Sequence, residues 1–377
     1  LWPAVSAAVD AGREGRLAGR GDATGGNRYA ATLTTTYEAD LWGGRQAAQR
    51  GAGAVLQASV FDRDTVRLTL TAGAAIRWLD AVALQARIGI ARLNVRDAEQ
   101  LLALVQARVR AGAALPLDLA QQRTLLAAQR RALAALQQAG AQARVTLDIW
   151  LGEAGAGDAA VRTQSLAALR EPVIGAGVPS QLLVRRPDIA RAEAQLAAAD
   201  ADVLVARAAM LPRLTLSAGA GVSAGKPGTL LDAPAYSVAA GLLAPIFSAG
   251  RLAAGHDLAL ARREELLADY RASIVAAFGD VRGALHALDG LHAQRVAQAD
   301  ELAQARQALA QARARYRAGG ETLLALLDAQ RSVYAAQDMA VQLDAARLQA
   351  AVALYKALGG GWRGAADGPA DARGSGR

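Results

Sequence analysis

Tyr29-Ala30-Ala31-Thr32-Leu33-Thr34-Thr35-Thr36-Tyr37-Glu38-Ala39-Asp40-Leu41, followed by Trp42-Gly43-Gly44-Arg45, decides the fold. Ala31, Leu33, Thr35, Tyr37, Ala39 and Leu41 fall on one side of an extended chain. Thr32, Thr34, Thr36, Glu38 and Asp40 fall on the other. Period-2 alternation rich in Thr and Tyr predicts a half-buried strand. After the Gly-Gly punctuation, residues 45 to 110 carry almost no Pro and few Gly, and predict one helix. At 1.5 Å per residue it is roughly 100 Å long, far beyond a globular helix.

Working outward, the same order returns. Arg108-Val109-Arg110-Ala111-Gly112 recurs as Arg315-Tyr316-Arg317-Ala318-Gly319, an offset of 207. Leu41 to Arg45 recurs, with one insertion, as Ile246 to Arg251, and Trp2-Pro3 matches Leu211-Pro212. A second very long helix is predicted from Arg251 to about Arg317, and shorter helices over 117–150, 180–210 and 322–358. Leu214 to Val222 alternates as a second clear strand, Tyr236 to Phe247 is a blander third, and residues 3–11 are a weak fourth. Ile189, Ala192, Leu196, Ala199, Val203, Ala206 and Met210 step in heptad fashion, as do Leu302, Ala305, Leu309, Ala312 and Tyr316. Five of these twelve seam positions are Ala, which permits close helix packing. The expected domains are a first repeat over 1–151, a Gly/Ala/Pro-rich linking segment over 152–179, a second repeat over 180–362 and a flexible tail over 363–377. The second repeat has a helix, 180–210, whose partner in the first would precede Leu1, so roughly 60 to 100 upstream residues are expected once a signal segment is added.

Composition narrows the function. Hydrophobic residues reach 53% but aromatics only 4%; about a quarter of the chain is Ala, which with Leu, Arg, Gln and Glu points to long helices and coiled coils. There is no Cys, hence no disulfide framework and no thiolate site. The net charge of +8 is carried by Arg dispersed between Asp, Glu and Gln, with Lys only at 226 and 356. That is a solvated helix face and not a nucleic-acid groove. The longest uncharged stretch, Ala233 to Gly250, is broken by Pro234, Pro245, Gly and Ser, so any membrane role must use strands. No catalytic or metal constellation emerges. His256, His286 and His292 are isolated, and the last two are six apart where zinc helices use four. Asp62-Arg63-Asp64 lies mid-helix, and Gly219, Gly221 and Gly225 miss the dinucleotide spacing.

One run is more specific. Val178-Pro179-Ser180-Gln181-Leu182-Leu183-Val184-Arg185-Arg186-Pro187-Asp188-Ile189 resembles the TolC-like outer-membrane efflux proteins, above all their OprM/NodT lipoprotein branch. Further matches are Leu211-Pro212-Arg213-Leu214, Leu243-Ala244-Pro245-Ile246-Phe247, Gly250-Arg251-Leu252, Leu327-Asp328-Ala329-Gln330-Arg331 and the closing Ala353 to Trp362. Arg185, Arg186, Pro187 and Asp188 are the branch signature.

The resemblance implies a mostly α chain with a membrane β-barrel portion. In it, a homotrimer pools four strands per chain into a twelve-stranded barrel, continued by a long α-helical coiled-coil barrel across the periplasm. It implies the exit duct of a tripartite efflux pump in a Gram-negative outer membrane, passively conducting drugs, other toxic compounds or metal ions. Its partners would be outer-membrane lipid, a periplasmic adaptor and an inner-membrane RND-type transporter, with no nucleic acid. No cofactor is expected beyond a lipid anchor on a Cys upstream of Leu1. Gly112 and Gly319 would form the adaptor-contacting tips, and Asp118, Tyr316 and Asp328 the gate. The family's second ring carboxylate is Ala325 here, and Glu321 stands where some members have Arg. Rival expectations are the export duct of a type I protein-secretion system and a soluble periplasmic coiled-coil scaffold. The apolar face of 31–41 weighs against the scaffold.

Overall fold

The computed structural model describes residues 2–15, 25–162, 164–172 and 179–362. Two strands, β1 (Ala4–Gly15) and β2 (Gly25–Ala39), lead into helix α1 (Gly44–Arg110) and its return helix α2 (Pro116–Leu151). Short helices α3 (Ala156–Arg162) and α4 (Pro179–Arg185) precede α5 (Pro187–Ala208). Strands β3 (Arg213–Ala224) and β4 (Pro234–Leu243) then lead into α6 (Arg251–Arg317) and α7 (Leu323–Ala357). Helices α1 and α6 each run 67 residues. None of the described helices is long and apolar enough to cross a membrane. The tail expected over 363–377 lies outside the described residues.

By contacts the chain divides into two units, residues 1–60 with 190–272, and residues 61–189 with 273–377. The first holds the sheet, antiparallel in the order β1-β2-β3-β4. Its register sorts the side chains by face. Leu33 lies opposite Ala7 and Ala220, and Ala220 opposite Tyr236; Thr35 lies opposite Val5 and Ala218, and Ala218 opposite Val238. On the other face Thr34 lies opposite Ser6 and Gly219, Gly219 opposite Ser237, and Thr36 opposite Ser217. One face is thus mainly aliphatic and aromatic, with Thr35 among them, the other mainly hydroxyl and glycine, and Ser6 Oγ and Thr34 Oγ1 share a 2.8 Å hydrogen bond across it. In this unit α5 packs on α1 through small residues: a Cβ added at Gly44 or Gly51 would stand 2.6 or 3.3 Å from the Cβ of Ala208 or Ala201.

The second unit carries the helical hairpins. Leu79, Val82, Leu147 and Leu348 form its largest cluster, joined by Val161 and Leu166. Val161 and Leu166, from the segment expected to link the repeats and to wrap around the outside, thus belong to this core, and the Trp78 indole donates to the Ala160 carbonyl at 3.0 Å. Tyr334 is buried; burial, and then the charge of Asp97, push its phenol up to about 12. It stays neutral and donates to the Asn94 carbonyl.

Three boundaries differ from expectation for physical reasons. β4 ends at Leu243 and not Phe247, because Pro245 lacks the N–H a ladder needs. β2 ends at Ala39 because the Asp40 carboxylate turns to cap α1, accepting the Arg45 and Gln46 N–H groups at 3.0 and 2.8 Å. The 180–210 helix breaks at Arg186, ahead of Pro187, and ends at Ala208, leaving the seam residue Met210 exposed.

In a membrane barrel wall the apolar face, with Leu33 and Tyr37, is expected to meet lipid and the opposite face, with Thr34 and Glu38, the lumen, which makes adjacent positions unequal. Arg at a mid-membrane lipid-facing position costs about 2–4 kcal/mol, whereas lumen positions tolerate polar change. In the full-length protein, Leu33→Arg should strongly reduce assembled oligomer in outer-membrane fractions and Thr34→Arg should not. Equal losses would refute the assignment.

Candidate functional site

The two hairpin turns are built alike. After α1, Gly112 adopts φ +70°, and after α6, Gly319 adopts φ +77°, a left-handed conformation that glycine reaches without penalty. The N–H of Ala113 reaches the Arg108 carbonyl at 2.8 Å, and that of Gly320 the Arg315 carbonyl at 2.9 Å. This bonding satisfies the last carbonyls and turns the chain sharply. The return helices start differently. Asp118 accepts the Leu115 N–H at 3.0 Å, while Thr322 Oγ1 accepts the Ala325 N–H at 3.3 Å. Ala325 is the repeat counterpart of Asp118, so the hydroxyl of Thr322 replaces its capping function. Glu321 accepts the N–H of Thr322 at 3.1 Å and lies 3.9 Å from Arg315.

Behind the turns, Tyr316 is buried with Leu101, Val105, Leu125, Leu323, Leu326 and Leu327. The Arg108 guanidinium lies over its ring, 4.7 Å from the centroid, and donates to its carbonyl at 2.8 Å. The Tyr316 hydroxyl has no hydrogen-bond partner among the described residues. Asp328, on an exposed face of α7, is held by Arg331 one turn on at 3.0 Å. Within one chain, no hydrogen bond joins Asp118, Tyr316 and Asp328 to one another. Arg108 and Arg331, which partner Tyr316 and Asp328, are two of many dispersed Arg residues and carried no distinguishing signal in the sequence.

The signature run has a clear structural task. Pro187 opens α5, where its missing N–H costs nothing. Arg186 forks onto Asp188 at 3.0 and 2.7 Å, reaches Asp280 of α6 at 3.0 Å and donates to the Ala357 carbonyl at the end of α7 at 3.2 Å. Burial alone would lower the Arg186 pKa, but Asp188, then Asp280, hold it above its ordinary value. Burial would raise the Asp188 carboxyl, but Arg186 and the Ile189 N–H hold it below the usual range. Arg185 contributes backbone: a Cβ on Gly359, at φ +93°, would stand 1.9 Å from its carbonyl oxygen. The chain then closes over α1, where the Trp362 ring packs edge-on against Phe61 at 5.7 Å and its indole donates to Asp64 at 3.0 Å. Burial would raise the Asp64 carboxyl, but Arg63 and this indole lower it. Among the described residues no cluster suits a metal ion.

A two-faced antiparallel sheet joined to two 67-residue helices, each turned back at a glycine, is the architecture of a channel-forming chain. The family model described as Outer membrane efflux protein matches residues 1–153 and 178–360, and the chain belongs to that family. The pyoverdine export outer membrane protein OpmQ of Pseudomonas aeruginosa is 49% identical over 371 residues, covering 96% of this chain and 78% of the relative. The cation efflux system protein CusC of Escherichia coli is 31% identical over 348 residues, 91% of this chain and 75% of the relative. A crystal structure of CusC superposes with a TM-score of 0.88 at 28% identity, covering 96% of this chain and 84% of that one. The chain is an outer-membrane efflux channel protein, the exit duct of a tripartite pump, and not an enzyme.

The Arg186 junction yields a measurable expectation. Asp188 and Asp64 have depressed folded pKa values, so their contribution is complete above the unfolded carboxylate value, about 3.9, and is lost as pH falls through the lower folded values. Arg186→Ala strands a partly buried carboxylate and should cost about 3 kcal/mol near pH 7. Thermal unfolding in detergent should show wild type holding level between pH 7 and 5 and falling below about pH 4. The variant, already lowered, should fall less.

Proposed function

We propose that three copies of this chain close into one duct: a twelve-stranded barrel in the outer membrane, continued by a tunnel of the α1–α2 and α6–α7 hairpins. The observation that carries this is the two-faced sheet. One face is mainly apolar and the other mainly hydroxyl and glycine, yet β1 and β4 stand at its edges. Unpaired edges cannot remain in hydrocarbon, and three sheets supply an even count that suits a bacterial barrel. The turns at Gly112 and Gly319 are the ends presented to a periplasmic adaptor, with an RND-type transporter supplying energy from the inner membrane. A lipid anchor on a Cys preceding Leu1 rests on the OprM/NodT signature alone.

The cargo follows the relatives. OpmQ, named for pyoverdine export, is 49% identical, whereas the cation and toluene efflux proteins are 31–33% identical. The proposed cargo is accordingly a pyoverdine-type siderophore. Full-length protein expressed in a Pseudomonas strain lacking its own OpmQ should restore pyoverdine to the medium of iron-limited cultures. Secretion remaining at the empty-vector level, with the protein present in the outer membrane, contradicts this cargo.

Asp118, Tyr316 and Asp328 are proposed to gate the periplasmic end, with their contacts made between subunits. Three Asp328 carboxylates around a narrow axis favour cations, as rings of carboxylates do. Each is offset by its own Arg331 at 3.0 Å, so the resting ring is nearly neutral. Bilayer recordings of the full-length channel should therefore show opposite shifts. Arg331→Ala should raise cation preference and block by multivalent cations, and Asp328→Ala should lower both, each by roughly a few-fold. The exposed helix-face control Asp269→Ala should change neither. Asp328→Ala matching that control would remove Asp328 from the gate.

A further inference from the structure

The apolar face of the sheet ends in cations. Its rows run from Ala39, Leu214 and Leu242, at the end nearest the long helices, to Tyr29 and Ala224 at the far end. Tyr29 lies ten residues from Ala39 along β2. At about 3.3 Å per residue and a tilt of about 40°, that run rises roughly 25 Å, the height of the apolar band on a membrane barrel. One row further out, Arg13 lies opposite Asn27. It shares its face with Val5, Ala7 and Val9. Among the described strand residues it is the one charged residue there, whereas Asp10, Arg28, Glu38 and Arg213 fall on the hydroxyl face.

A second cation joins it from β3. Two residues past that strand, Lys226 is still extended, at φ −136° and ψ 143°. Gly225 still lies against β2, where an added Cβ would stand 3.5 Å from the Asn27 carbonyl oxygen. The alternation that puts Val222 and Ala224 on the apolar face therefore puts Lys226 there too. Arg13, Asn27 and Lys226 form one row across three strands, its two cations about 10 Å apart at two strand spacings. All three residues are exposed, and neither cation pairs with a carboxylate among the described residues.

We infer that Arg13, Asn27 and Lys226 form a headgroup site for the phosphate-bearing glycolipid of the outer leaflet. This rests on the barrel reading above, in which the apolar face meets lipid. The row lies at the end of the sheet opposite the one from which α1 and α6 continue, and in a channel with a periplasmic tunnel that is the outer-leaflet end. A cation inside the apolar band is costly, but one row beyond it meets headgroups. Two unpaired cations at that height call for an anion. Arg13 offers the fork that grips a phosphate through two N–H groups, and Lys226 holds a second as a point charge. Asn27, between them, suits the neutral sugar that joins the phosphates. Tyr29, next inward on the same face, marks the boundary where acyl chains begin, as aromatic girdles do.

The full-length protein in detergent can be titrated with diphosphorylated lipid A, the same lipid stripped of both phosphates, phosphatidylglycerol and inorganic phosphate. Native mass spectrometry counts bound ligand and assembled copies together. Wild type should hold the diphosphorylated lipid at least roughly ten-fold more tightly than the other three. Arg13→Gln and Lys226→Gln should each weaken it roughly five-fold, and together roughly 25-fold. Arg28→Gln, at the same height on the hydroxyl face, should change nothing. Stripped lipid or phosphatidylglycerol binding as tightly as the diphosphorylated lipid overturns the site, and so does free phosphate binding as tightly. These comparisons need no variant. A double variant that assembles and binds like wild type overturns it equally. Loss of binding on Arg28→Gln but not on Arg13→Gln would show the hydroxyl face meeting lipid, and the barrel orientation itself would fail.

Discussion

A membrane sheet cannot have an edge, and the rest of this structure follows from that constraint. In hydrocarbon each unpaired N–H or C=O costs several kcal/mol. Four strands pair internally through three ladders, and the outer edges of β1 and β4 must find partners on other copies. Closure fixes a rotation between subunits. The 207-residue repeat lets one duplicated unit supply both the four strands and the two helical hairpins of each chain.

Close spacing of helices sets the composition. Ala on the seams brings helix axes together, and long Arg, Gln and Glu side chains solvate the remaining faces. What fixes the hairpins in place is a small number of specific contacts. Arg186 ties the start of α5 to α6 and to the end of α7, and the glycines after α7 let the chain pass under Arg185 and return Trp362 to α1. These contacts gather where the helix broken at Arg186 meets the two hairpins, which accounts for the unusual chemistry of Arg185-Arg186-Pro187-Asp188 in an otherwise plain helical sequence.

The long helices were legible to within a residue or two, because Gly43-Gly44, Ala111-Gly112, Ala249-Gly250 and Ala318-Gly319 punctuate them. β2 and β3 were legible from alternation. β1 was barely so, since Ala4 to Val9 carries little intrinsic signal and its strand exists through pairing with β2. Residues 152–179 read as a link because Gly, Ala and Pro dominate them, yet Val161 and Leu166 are buried in one cluster with Leu79 and Leu348, more than 80 residues away, as well as with Leu147. The residues proposed as a gate, Asp118, Tyr316 and Asp328, are single positions in the sequence, and their neighbours Arg108 and Arg331 are visible only once the helices have set them side by side.

The central claim is that one chain supplies a third of a closed barrel. Native mass spectrometry of the full-length protein, extracted gently from outer membranes, tests it most directly. The account predicts a single dominant species of three copies that persists until detergent activation is severe. A monomer stable in the same detergent, its sheet edges unpaired, would contradict it.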